Sequence, residues 1–127
     1  IWEKFAFLAP LSGVTALTRQ PLGVVRAVPQ TRALFLEAVA EVAAVAAARG
    51  VQLGPDIEAR VAALIDALVP EMRSSMLNDL ERGGRLELPW LSGAVTRLGT
   101  ELGVATPVHR VIAGALAPYA DGPPQHA

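Results

Sequence analysis

Lys4 is the only lysine among the 11 basic residues of this 127-residue chain, and it stands between Trp2 and Phe5 with Phe7 and Leu8 one turn further on. Lysine can titrate where arginine cannot, so an ammonium in aromatic surroundings can be desolvated and its pKa lowered toward acid–base use. The same spacing also fits a surface lysine that lays its stem across the rings. A second polar group is Ser74-Ser75-Met76-Leu77-Asn78-Asp79, followed by Glu87-Leu88-Pro89-Trp90-Leu91-Ser92-Gly93. Two serines at a helix start are N-caps in the plain reading; with a ligand in reach, a hydroxyl and the local N–H groups would instead hold an anion. Glu87 falls near the start of a helix, where the dipole favours a carboxylate whatever its role. Asp79 and Glu81 read as solvated charges, and Glu37 and Glu41, one helical turn apart, as partners in ordinary charge interactions.

Other chemistry is excluded by what is missing. His109 and His126 are far apart and lack metal-ligand spacing, so no metal site is expected. Gly83-Gly84 has neither the preceding strand nor the spacing of a phosphate loop, so the chain offers no cofactor-binding residues of its own. The absence of cysteine removes disulfides, thiolate metal sites and cysteine nucleophiles. With 12 acidic residues against 11 basic ones, the formal charge of −1 gives no footprint for nucleic acid or an anionic membrane surface. The longest uncharged run, residues 5–18, is interrupted by Pro10 and Gly13 and is too short to span a bilayer. No signal-peptide pattern precedes it, so a cytoplasmic protein is expected.

These residues must be held by helices, because apolar spacing is helical nearly throughout a chain that is 52% hydrophobic, and no alternating strand appears. The pattern predicts a first helix over about Trp2–Thr18 bent near Pro10, then a loop carrying Pro21, Gly23 and Pro29. A second helix spans about Thr31–Arg49 with Leu34, Ala38, Val39, Val42 and Val45 on its apolar side and Gly50 as a left-handed end. Gly54-Pro55-Asp56 opens a third with the stripe Ile57, Val61, Leu64, Ile65, Leu68. Ser74 or Ser75 caps a short helix that runs to about Glu81 and ends at Gly83-Gly84. The next admits Pro89 in its first turn, carries Leu91, Val95, Leu98 and Leu102, and stops at Gly103; Thr106-Pro107 starts a last helix to about Ala117. Asp121 to Ala127 is expected to be a loose tail. Six helical segments make an all-α, multi-helical domain with one core.

In order and spacing, three blocks resemble the C-terminal domain of the ketopantoate reductase (2-dehydropantoate 2-reductase, ApbA/PanE) family over Ile1 to about Ala120. They are Trp2-Glu3-Lys4 leading to Thr15-Ala16-Leu17-Thr18; Ser74 to Asp79 with Glu87 twelve residues after Ser75; and Ser92-Gly93 leading to Gly103-Val104-Ala105-Thr106-Pro107-Val108. The resemblance implies a helical bundle like that of phosphogluconate dehydrogenases, forming residues 1–120 with residues 121–127 as the tail. It implies NADPH-dependent reduction of an α-ketoacid, ketopantoate to pantoate in pantothenate and coenzyme A synthesis, with NADPH on an N-terminal Rossmann domain that this chain lacks. By motif position Lys4 would be the proton donor, and Ser75, Glu87 and Ser12 would hold the substrate.

Three positions depart from the family pattern. Asparagines four and eight residues after the lysine are replaced by Leu8 and Ser12, and an aspartate two residues after the glutamate by Pro89. Leu8 removes a donor and an acceptor from the expected wall, which points to a different ketoacid or a weakly active relative. A chain beginning at Ile1, already in helix, reads as a piece of something longer, inactive by itself and prone to homo-oligomerise through its apolar surface. The alternative is a non-catalytic helical dimerisation or interaction domain that keeps only the fold.

Overall fold

The computed structural model describes residues 1–125, among which there are seven α-helices, two short 3-10 turns and no strand. The expected all-α architecture is therefore what these residues form. The helices are α1 (Trp2–Thr18), α2 (Leu22–Ala27), α3 (Pro29–Ala48), α4 (Ile57–Ala67), α5 (Ser75–Arg82), α6 (Ser92–Leu102) and α7 (Pro107–Leu116).

Helix α1 is the axis of the bundle. Its middle is buried on every side, from Ala9 through Ala16, and it packs against α2, α3, α5, α6 and α7. Small residues make this possible. A Cβ added to Gly13 would lie 2.9 Å from the Ile112 side chain on α7 and 3.1 Å from Ser92 Oγ on α6, so glycine there permits both approaches. The helix runs on through Pro10, which has no N–H to give the preceding turn. The core around it is aliphatic with a single large aromatic, Phe35, fully buried on α3.

Several expected boundaries hold, and the others fail for physical reasons. Helix α3 ends with Gly50 at φ +85°, and Gly83 and Gly103 take the same left-handed conformation after α5 and α6. The segment read as a loop after α1 instead contains α2. Its first amides, Leu22 and Gly23, donate to the carbonyls of Met72 and Pro70 at 2.8 and 2.9 Å, and Arg26 reaches the Ile65 and Leu68 carbonyls. Tertiary partners about forty to fifty residues away therefore support a helix that Pro21 and Gly23 disguise. Helix α3 starts at Pro29, at the first helical position, two residues before Thr31. Pro89 does not enter α6: Leu88–Trp90 form a 3-10 turn, Leu91 leaves helical geometry at φ −115° and ψ −106°, and α6 starts at Ser92. Leu64, placed on the apolar stripe of α4, is 42% exposed. Pro123, in the segment expected to be loose, lies against Gly83, and His126 lies outside the described residues.

Two buried polar residues join α3, α6 and α7, and neither role was expected. Glu41 is buried on α3, and its two oxygens accept from the amides of Val108 and His109 at 2.8 and 3.0 Å, capping α7. The Thr106 side chain, at the N-cap position, makes no such bond. His109 is fully buried, with Nε2 2.9 Å from the Ala38 carbonyl and Nδ1 3.0 Å from Ser92 Oγ. A carbonyl only accepts, so Nε2 carries a proton; in the neutral imidazole, which burial favours, Nδ1 accepts from the serine hydroxyl.

Burial lowers the pKa of His109 from its ordinary 6.5, opposed in part by the Ala38 carbonyl and the charge of Glu41. The unfolded chain then takes up this proton before the folded one does. The stabilisation is complete above about pH 6.5 and is lost as pH falls through the folded value. Thermal melts should therefore be flat from pH 8 to 7 and fall toward pH 5, and a His109→Gln variant should lose that slope. An unchanged slope in the variant would assign it to other groups.

Candidate functional site

One stripe of α1 carries Lys4, Leu8 and Ser12, spaced i, i+4, i+8, so Lys4 and Ser12 stand about 12 Å apart along the axis. Lys4 is exposed, Leu8 half-buried, and Ser12 buried to 7% exposure. The adjacent acid does not neutralise Lys4, because Glu3 is ion-paired with Arg60 on α4, which also holds Asp56 and the Leu53 carbonyl. Trp2 and Phe5 pack edge to face on each other at 5.9 Å instead of enclosing the lysine. The aromatic surroundings expected to desolvate Lys4 are thus spent on that pair and leave its side chain in solvent. Beside it, a shallow groove of about 310 Å³ separates α1 from α4, with Lys4 and Phe7 on one wall and Ile57, Val61 and Leu64 on the other. A larger cavity of about 570 Å³ lies at the opposite end of α1, around Arg19, Tyr119 and Gly83.

The serine pair divides its work. Ser74 is the N-cap of α5: it is buried, and its Oγ accepts from the Leu77 amide at 3.0 Å. Ser74 Oγ also meets Thr15 Oγ1 of α1 at 2.6 Å. Ser75, the next residue, is exposed in the first turn of α5, and its hydroxyl makes no hydrogen bond among the described residues. Sequence alone left open which serine caps; the structure gives the cap to Ser74 and leaves the hydroxyl of Ser75 unengaged.

Glu87 stands apart from this group. It is exposed, directly before the 3-10 turn Leu88–Trp90, and enters no ion pair or side-chain hydrogen bond among the described residues. The structure thus ties Ser75 to the Lys4–Ser12 helix through its neighbour, while Glu87 has no direct link to them. A cation, two hydroxyls and a carboxylate are chemically able to stabilise and protonate an oxyanion and to hydrogen-bond a polar substrate, and the contact that ties Ser75 to α1 falls at Thr15, about 16 Å along the helix from Lys4. No three His, Asp or Glu side chains are grouped to hold a metal among the described residues. No helix among them is long and apolar enough to cross a membrane.

Residues 1–120 match the family described as ketopantoate reductase PanE/ApbA C terminal. The 2-dehydropantoate 2-reductase of Pyrobaculum aerophilum is 34% identical over 111 residues, covering 87% of this chain and 39% of its own length. That of Mycobacterium tuberculosis is 33% identical over 122 residues, covering 96% of this chain and 41% of its own. Among solved structures, the dimeric ketopantoate reductase of Staphylococcus aureus superposes with a TM-score of 0.88 at 25% identity, over 94% of this chain and 42% of that one. The chain spans about two-fifths of the length of the relatives it matches. Family match, sequence identity and superposition agree: the chain belongs to the ketopantoate reductase family, as its C-terminal helical domain.

Proposed function

We propose that this chain is the substrate-binding helical domain of an NADPH-dependent α-ketoacid reductase, with Lys4 as proton donor and Ser75, Glu87 and Ser12 as substrate-binding groups. The observation that carries this reading is the division of labour at the serine pair. Ser74 does the capping, so the hydroxyl of Ser75 is left unengaged on a helix bonded to the one that bears Lys4. Family membership supplies the reaction class.

In this reading the nucleotide binds on a separate Rossmann domain, as fits a chain without a strand or glycine-rich phosphate turn among its described residues. When bound it supplies hydride to the ketone carbon. The residues of this chain act on the rest of the substrate. The Lys4 ammonium donates a hydrogen bond to the carbonyl oxygen, stabilises the charge that grows there and gives it a proton, leaving a neutral amine that is reprotonated from water. Ser75 and Ser12 offer hydroxyls, and the Glu87 carboxylate accepts a hydrogen bond from the substrate. Closure of the second domain over α1 would supply the desolvation that Trp2 and Phe5 do not. The whole enzyme would be a cytoplasmic homo-oligomer.

The test is steady-state kinetics with NADPH and a panel of α-ketoacids, on a protein in which this chain follows a Rossmann domain of the family. Turnover by the two-domain protein, with no NADPH binding by residues 1–127 alone, is the expected result. A folded two-domain protein that binds NADPH and reduces no ketoacid would return the chain to the reading of a dimerisation or interaction domain. Within an active protein, Ser75→Ala and Glu87→Gln should act mainly on KM. Each should raise it roughly 5- to 150-fold, the equivalent of about 1–3 kcal/mol for a lost substrate hydrogen bond. Unchanged KM values would remove these two residues from the site.

A further inference from the structure

Thr15 belongs to a block that the proposed site leaves without a role, and the structure places it in a directed chain of hydrogen bonds. Its Oγ1 is 2.6 Å from the Leu11 carbonyl, which can only accept, so the threonine proton points there. Toward Ser74 Oγ, at 2.6 Å, Thr15 must then be the acceptor and Ser74 the donor. Ser74 Oγ in turn accepts from the Leu77 amide at 3.0 Å. The order Leu77 N–H, Ser74 O–H, Thr15 O–H, Leu11 C=O uses each proton once. It is fully buried at its two hydroxyls, where mutual polarisation strengthens such a chain. One end is the first turn of α5, next to Ser75; the other is the α1 backbone one residue before Ser12.

We infer that Thr15 and Ser74 are positioning residues: their relay sets the first turn of α5 against α1 and so fixes the Ser75 hydroxyl relative to Lys4 and Ser12. This inference rests on the reductase reading. Burial of Met76 and Leu77 seats α5 in the core, and a relay of short bonds between defined atoms narrows its rotation and its slide along α1 further. Thr18 provides an internal comparison. Its hydroxyl makes the same intrahelical bond, 2.7 Å to the Val14 carbonyl, and reaches no other helix.

The experiment is performed on the two-domain reductase with its best α-ketoacid, well below the melting temperature. Thr15→Val, which conserves shape and removes the relay, should raise KM about tenfold with kcat within about threefold of the parent, and Thr15→Ser should restore it. Thr18→Val should leave KM unchanged. In a Ser75→Ala background Thr15→Val should add no further rise, because the group it positions is gone. Ser74→Gly breaks the relay at a second link and retains an acceptable cap residue, so it should reproduce the Thr15→Val effect if that variant does not fold. An equal rise in KM with and without Ser75, or a lowered melting temperature with no change in KM, would reduce the relay to a packing bond and overturn the inference while leaving the reductase reading intact. If Lys4→Ala and Ser75→Ala are both silent, that reading falls, and the positioning role falls with it.

Discussion

Replacing Lys4 by alanine should lower kcat on α-ketoacids by about 10²-fold or more in the two-domain protein, the scale of a positioned general acid. The structure makes this a clean experiment. Lys4 is exposed and in no ion pair among the described residues, so its loss should change unfolding free energy by no more than about 0.5 kcal/mol, as for an ordinary surface site. A fall in rate at constant stability is then chemical in origin. Lys4→Arg divides the effect further. A guanidinium keeps the charge that favours the growing oxyanion but does not release a proton near neutral pH. It should therefore hold KM near the parent value while kcat stays low. Should a folded Lys4→Ala protein reduce its best ketoacid as fast as the parent, Lys4 is a surface lysine and the proton comes from elsewhere. The same kinetics address Leu8, since a Leu8→Asn variant that alters the preference among ketoacids would locate the wall between Lys4 and Ser12 in the substrate's path.

What the sequence reveals and what it conceals differ by the distance over which the determining interaction acts. Helices α1, α3, α4 and α5 are legible because their signals are local: apolar periodicity, Pro55 and Asp56 ahead of α4, Gly50 and Gly83 at positive φ after α3 and α5. Helix α2 is not, because its stabilising carbonyls come from Ile65 to Met72. The candidate site shows the same division. Residue types and their order mark Lys4 and the Ser74-Ser75 pair, but the bonds of Ser74 to the Leu77 amide and to Thr15 on α1 are what tell one serine from the other. Glu41 is the instructive case. It falls on the face of α3 that carries Ala38, Val42 and Val45, and an acid on a buried stripe is a signal that it has a partner. Treating it, like Glu37, as an ordinary helix charge misses that signal; Glu37 is exposed and Glu41 is not. The partners themselves, 67 and 68 residues along the chain, were beyond any local pattern.

That assignment carries a large stability effect for a polar residue. The first residue of α7 is Pro107, which has no N–H, so the free amides of its first turn begin at Val108 and His109, and the Glu41 carboxylate accepts from both. Two hydrogen bonds to an ionised acceptor coincide with a carboxylate at the positive end of a helix dipole. Glu41→Ala should cost about 3 kcal/mol, since bonds to charged groups contribute about 1.5–3 kcal/mol each and do not add fully when they share one side chain. Glu41→Gln keeps one acceptor oxygen but turns an amide donor toward the other N–H, and should lose roughly half as much. Glu37→Ala, four residues away and exposed, should be neutral within about 0.5 kcal/mol. Denaturant unfolding of the three variants decides the matter, and a Glu41→Ala loss below about 1 kcal/mol would show that water replaces the cap without penalty. The consequence reaches the candidate site. Ile112 of α7 and Ser92 of α6 close on Gly13 of α1, and His109 binds Ser92, so freeing the start of α7 loosens what lies behind the Lys4–Ser12 stripe. Glu41→Ala should therefore raise KM for the ketoacid as well as lower stability, although Glu41 is buried against the α7 amides and bonds to no side chain of the candidate site.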